Sequence, residues 1–125
     1  MRFGKGMYHK YRAKKTIVDG QEFPSKLEGA TFSDLKLLVS AGVYSNVRKQ
    51  VPVTLMVPLT VKLDFVVFDN ELQEDVYVEA KGVSTERWSI FKRQWKKSGP
   101  GRLRIYGGSY MKPKMAEEII PKGEK

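Results

Sequence analysis

No cysteine and a single histidine, His9, occur in 125 residues. A disulfide framework is therefore impossible, as is any cysteine-ligated zinc or iron–sulfur site. One histidine excludes a His-rich metal cluster and argues against a Ser-His-Asp triad. Long hydrophobic runs are also missing. The longest apolar stretch, Val51–Val61, is broken by Pro52 and Pro58 and is too short to span a bilayer. The basic N-terminus, MRFGKGMYHKYRAKK, is not followed by the apolar segment of an export signal. There is no internal repeat to suggest a solenoid. These absences lead us to expect a cytoplasmic protein with no membrane partner.

Positive charge is in excess. Lys and Arg number 23 against 14 Asp and Glu, a formal charge of +9. A domain this basic most often meets a polyanion. A hydrophobic fraction of 41% argues against wholesale disorder, and the length suits one domain. The charge is uneven: residues 1–26 carry +5, residues 27–81 carry −3 and residues 82–125 carry +7. Residues 1–15 read as a basic arm with interleaved Phe3, Tyr8 and Tyr11. Residues 16–111 read as a single domain, and 112–125 as a polar, frayed tail. Phosphate contact is expected from Lys10, Arg12, Lys14 and Lys15 in the arm. Arg87, Lys92, Arg93, Lys96 and Lys97 of a later helix are expected to add to it.

Thr16–Val18 and Gln21–Phe23 flank Asp19-Gly20 and predict a small hairpin. Ser25 with Glu28 fits a capping box, and Gly42 closes the helix that follows. At ~100° per residue, Leu27, Phe32, Leu35, Leu38 and Val39 form its apolar arc, extended by Ala30, Leu37 and Ala41. Gly29, Ser33, Lys36 and Ser40 fall opposite. Glu28 lands inside the arc, between Leu35 and Val39. After Gly42 the period becomes two. Val47–Val57, Val61–Phe68 and Glu74–Lys81 are strand candidates, with Pro52 marking an edge or bulge and Asp69-Asn70 a turn. Gly82 ends the third strand, and Ser84 or Thr85 caps a helix over 86–97. Its Trp88, Phe91 and Trp95 read as core rather than as a base-stacking platform. Gly99-Pro100-Gly101 stops it, and Arg102–Tyr106 is a last strand. The order predicts an α/β domain with a mixed sheet.

The acids of the middle segment need a purpose. In the second strand Lys62, Asp64, Val66 and Phe68 share one face, and Leu63, Phe65 and Val67 the other. In the third, Glu79 and Lys81 point the same way. A hairpin centred between Glu71 and Leu72 sets Asp64 directly opposite Glu79. Like charges there destabilise a sheet unless a cation lies between them. Lys81 is one candidate and Mg²⁺ a better one, since hard divalent ions choose carboxylate oxygens. Glu28 could complete the shell, although it also fits the plain role of a capping acid. Asp64 is depleted in strands by type and interrupts a Val/Leu/Phe run.

Asp64, followed fifteen residues later by Glu79-Ala80-Lys81 at a strand end, resembles the D…(D/E)-x-K motif of the PD-(D/E)xK nuclease superfamily. Glu28 matches the extra acid that many members carry on the preceding helix. Leu63 stands where the motif's proline would be. Lys10–Glu28, Leu63–Phe65 and Val78–Gly82 together resemble a family of small phage-encoded endonuclease-like proteins allied to Holliday-junction resolvases. The resemblance spans roughly residues 10–106. It implies a restriction-endonuclease-like core, a central mixed sheet flanked by helices. It further implies Asp64 and Glu79 as metal ligands, Glu28 and the Ala80 carbonyl as further ligands, and Lys81 as the water-orienting base.

The reading that follows is an Mg²⁺-dependent structure-selective endodeoxyribonuclease, with Mn²⁺ able to substitute. The expected substrate is a four-way DNA junction. Two symmetric cuts call for a homodimer, working in the host cytoplasm if phage-encoded. A restriction-like or mismatch nuclease is the alternative within the enzyme class. The other is a non-catalytic nucleic-acid-binding module on the same fold.

Overall fold

The computed structural model describes residues 15–55, 59–81 and 86–122, with Leu59 described in its backbone only. Lys10, Arg12, Lys14 and the rest of residues 1–14 lie outside the described residues. So do the proposed stop at Gly82, the Ser84 or Thr85 cap, and the end of the first long strand at Val57. Elements follow in the order β1 (Thr16–Val18), β2 (Gln21–Phe23), α1 (Lys26–Ser40), β3 (Tyr44–Leu55), β4 (Leu59–Asp69), β5 (Glu74–Ala80), α2 (Glu86–Ser98), β6 (Leu103–Gly107) and β7 (Lys114–Ile119).

β1 and β2 pair across Asp19-Gly20, both with positive φ as a type I′ turn requires. In α1 the Ser25 hydroxyl accepts the Glu28 N–H at 3.0 Å. At its other end Gly42, at φ 83°, lets Gly42 N–H reach the Val39 carbonyl and Val43 N–H the Leu38 carbonyl. That is a Schellman closure. The five-stranded sheet runs β3-β4-β5-β6-β7, parallel only between β5 and β6 and antiparallel elsewhere. Since α2 connects the two parallel strands, it crosses over the sheet as a βαβ unit does. The architecture is thus α/β with a central mixed sheet and two helices, compatible with a restriction-endonuclease-like core.

Two cores sandwich the sheet. Phe23, Phe32 and Phe65 stack within one, with Leu35, Val76, Val78 and Tyr106 around them, under α1. Trp88, Phe91 and Trp95 of α2 fill the other with Leu63, Leu103 and Ile105. The aromatic stripe of α2 is therefore core. β5 alternates between the two, Val76 and Val78 toward α1 and Tyr77 toward α2.

Four expectations change. Leu37 is 69% exposed and leaves the apolar arc of α1. Gly29, expected on the polar face, is buried because the β1–β2 hairpin packs on it: a Cβ there would sit 2.6 Å from the Thr16 methyl. Leu63, Phe65 and Val67 do not share a face, for Leu63 packs with α2 while Phe65 and Val67 pack with α1. The change falls at Asp64. Its partner position on β3, Gln50, has φ 53°, and the ladder skips this pair between Lys49–Phe65 and Val51–Leu63. The left-handed backbone at Gln50 interrupts β3 beside Asp64, while the register on either side of it is unchanged. Lastly, the polar tail from Lys112 is not frayed. Lys114–Ile119 is an edge strand bound to β6, with Ile119 in the α2 core and Glu118 paired to Arg104 at 2.8 Å. Five of its six residues are exposed, so its sequence carries little hydrophobic pattern.

Candidate active site

The β4–β5 ladder runs from Asp69–Glu74 to Phe65–Val78 and stops. Continuing the same register, the next pair is Asp64 and Glu79. Here β5 keeps only its other neighbour, β6, where Glu79 pairs with Ile105 and Ala80 with Tyr106. Backbone amides freed at such a fork need partners. The two carboxylates provide them: Asp64 N–H donates to Glu79 Oε1 at 3.0 Å, and Ala80 N–H donates to Asp64 Oδ2 at 2.9 Å. Each acid thereby clamps the other's strand. The cross-strand opposition read from the hairpin centre holds, and Ala80 contributes its amide to the clasp.

Both acids are buried, Glu79 at 2% and Asp64 at 8% exposure, and Glu28 joins them at 7%. The helix cap orients Glu28 through its backbone, while its side chain turns to the sheet: Gln50 Nε2 donates to Glu28 Oε2 at 3.0 Å. Its role therefore exceeds that of a capping acid. Burial pushes the Asp64 carboxyl well above the usual carboxylate range. The charges of Glu79 and then Glu28 push the same way, and the Ala80 N–H opposes them. Three carboxylates thus act on one another where the central strands part.

Lys81 follows one residue beyond the clasp. Its backbone N–H donates to the Tyr106 carbonyl at 2.8 Å, and its ammonium lies 5.5 Å from the centre of the Trp88 ring. Gln50 is the residue that sequence reasoning missed. Only its place opposite Asp64 marks it, and that depends on the β3–β4 register. Among the described residues, no group of three or more His, Asp or Glu side chains is drawn together closely enough to hold a metal ion by itself. The chemistry of the donors nonetheless suits one. Carboxylate oxygens such as those of Asp64, Glu79 and Glu28 are the donor type that hard divalent cations take.

The other basic candidates lie apart from the carboxylates in the chain. Lys15 is exposed beside β1, and Arg87, Arg93, Lys96 and Lys97 are exposed on α2. Lys92 pairs instead with Glu117 of β7 at 3.0 Å. Lys92, Arg93 and Lys96 line a groove of about 470 Å³ whose other wall holds Glu117 and Glu118, so it carries both signs of charge. No helix among the described residues is long and apolar enough to cross a membrane.

Fold and site together define a small α/β protein that gathers three buried carboxylates at the fork of a mixed sheet. A sequence-family model described as "Protein of unknown function (DUF1064)" matches residues 8–106. The chain belongs to that family. The match includes Glu28, Gln50, Asp64, Glu79 and Lys81 and ends before β7. No curated protein and no solved structure matches the chain.

Proposed function

We propose that this protein is a metal-dependent endodeoxyribonuclease of the PD-(D/E)xK type, acting as a homodimer on four-way DNA junctions. One observation carries the reading. Asp64 and Glu79, buried and like-charged, clasp each other's backbone where β4 and β5 part, with the charge of Glu28 added from α1. Like charges directly opposite in a sheet are costly. A cation and a phosphate give that arrangement a use.

In this reading Asp64 and Glu79 hold the metal, with Glu28 and the Ala80 carbonyl as further ligands. Bound Mg²⁺, or Mn²⁺ in its place, neutralises charge on the scissile phosphate and lowers the pKa of water. The chain's own work is positional. The amide clasp fixes Asp64 and Glu79 against rotation. Gln50 aims Glu28. Lys81 Nζ orients the attacking water or takes its proton as the phosphorus–oxygen bond to the leaving group breaks. The basic segments on either side supply attraction to the DNA backbone. A junction has two-fold symmetry and needs two cuts, while each chain offers one such cluster, so a two-fold dimer suits the substrate.

The test is incubation with a four-way junction and a matched linear duplex, with and without Mg²⁺. The expected result is Mg²⁺-dependent cleavage that favours the junction. Asp64→Asn and Glu79→Gln should each abolish it while DNA binding survives, because neither carboxylate attracts phosphate. Near wild-type cleavage by either variant would sink the assignment. Equal cleavage of both substrates would point to a restriction-like or mismatch nuclease. Binding without cleavage would point to a non-catalytic module.

A further inference from the structure

A second concave site lies on the α1 side of the sheet. A cavity of about 240 Å³ opens between β2, α1 and β3, lined among others by Gln21, Phe32, Lys36, Val39, Asn46 and Lys49. Among the described residues, no carboxylate lines it. Lys36 Nζ stands 5.7 Å from the centre of the Phe32 ring, and Lys49 Nζ 4.6 Å from that of Phe23. Both rings are buried in the α1 core, so each ammonium is tethered to a rigid platform by a cation–π contact. Neither lysine ion-pairs with a carboxylate among the described residues. Arg48, Lys92, Arg102 and Arg104 all do. β3 is also reshaped at this point: Asn46 has φ 52°, and the β3–β4 register shifts between Ser45 and Arg48.

The donor set selects an anion. Two lysines and two amide side chains border one concavity. That suits a tetrahedral phosphate better than a planar carboxylate, which favours the fork of an arginine. The apolar walls at Phe32 and Val39 suit the carbons of a sugar. Position links the cavity to the carboxylates. Phe32 follows Glu28 by one helical turn, about 6 Å along α1, and Lys36 lies about 12 Å along it at 1.5 Å per residue. Lys49 precedes Gln50, whose amide holds Glu28.

We infer that this cavity is a phosphate subsite, holding one sugar-phosphate unit of a DNA strand whose scissile bond lies at the carboxylate cluster. The inference deepens the nuclease reading and rests on it. Lys36 and Lys49 neutralise the phosphate, and Asn46 and Gln21 bond its oxygens. The contact is blind to sequence, since it touches no base edge.

The experiment compares three proteins: wild type, Lys36→Gln with Lys49→Gln, and Lys112→Gln with Lys122→Gln. The last removes the same charge away from the cavity. Fluorescence anisotropy reads binding to a labelled linear duplex and a labelled four-way junction, in chelator, over a range of salt. The cavity variant should weaken binding by ~10-fold at low salt and flatten log K against log salt by about one unit on both DNAs. The control should leave the slope unchanged. Wild-type binding with an unaltered slope in the cavity variant overturns the subsite and spares the nuclease reading. An equal effect in the control assigns the loss to net charge and also overturns it. Failure of the wild type to bind either DNA removes both.

Discussion

Replacing Asp64 by Asn should stabilise the metal-free protein at neutral to alkaline pH. Residues directly opposite in antiparallel strands have Cβ atoms ~5 Å apart. Two unit charges ~5–6 Å apart repel by about 3 kcal/mol at an effective dielectric of ~20. Asparagine removes that repulsion from Glu79, and with it the cost of burying an anion. It keeps an oxygen for the Ala80 N–H, but as a neutral hydrogen bond weaker by about 1 kcal/mol. The net gain is about 2 kcal/mol, or roughly 6 °C in melting temperature for a domain of this length. The sign with pH follows from the direction of the shift. The folded Asp64 carboxyl lies above its unfolded value. Its stability is therefore complete below the unfolded carboxylate pKa and is lost as pH rises through the folded one. Wild type in chelator should lose stability through that rise, and the variant's advantage should vanish in mild acid. Mg²⁺ should reverse the order. At a concentration about one hundred times its dissociation constant it would add about 2.7 kcal/mol to wild type and little to the variant. Scanning calorimetry at several pH values, with chelator and with Mg²⁺, reads all of this. The reasoning is refuted if the variant melts at or below wild type at about pH 8 in chelator and Mg²⁺ leaves wild type unmoved.

Lys81→Ala should slow single-turnover cleavage by ~10²-fold or more, and Lys81→Arg should not restore it, since a guanidinium does not release its proton and has the wrong shape. Rescue by arginine would reduce Lys81 to a bare charge. Gly29→Ala should cost about 1–3 kcal/mol despite alanine's better helix propensity, because its methyl would meet Thr16 Cγ2 at 2.6 Å. An unchanged denaturation midpoint would show that the hairpin yields freely. Arg104→Met should cost about 3–5 kcal/mol at neutral pH, since Asp69, buried and 3.1 Å from the guanidinium, would lose its charge partner. Burial raises the Asp69 carboxyl, but the Leu72 and Glu71 N–H groups and Arg104 outweigh it and bring it below its ordinary value. That stability is present above the unfolded carboxylate pKa and is lost as pH falls, so the variant's deficit should narrow in acid. A deficit that widened instead would contradict the assignment.

Local signals were legible where they come from one stretch of chain. Asp19-Gly20 between two short β-prone runs specified the hairpin, because a type I′ turn needs two positive φ angles and this pair tolerates them. Ser25 and Gly42 marked the ends of α1 through bonds to amides and carbonyls within four or five residues. The i, i+3, i+7 spacing of Trp88, Phe91 and Trp95 placed one face of α2 in a core. Even the opposition of Asp64 and Glu79 was readable, since a hairpin's register follows from its turn.

What the sequence by itself determined, then, is the α/β order, the caps, the turns and the acids of the β4–β5 hairpin, each encoded over a few residues. The tertiary structure alone decided the rest. Gly29 looks like a polar-face residue until a hairpin from earlier in the chain lands on it. β7 has almost no pattern of its own, and its place comes from the open edge of β6 and from Arg104 waiting for Glu118. β4 passes from one core to the other at Asp64, a step no alternation rule contains. Glu28 reaches the acidic cluster because α1 packs on β3 and Gln50 holds it there. Contacts between residues far apart in the chain depend on how elements pack, and packing is settled by the whole core at once.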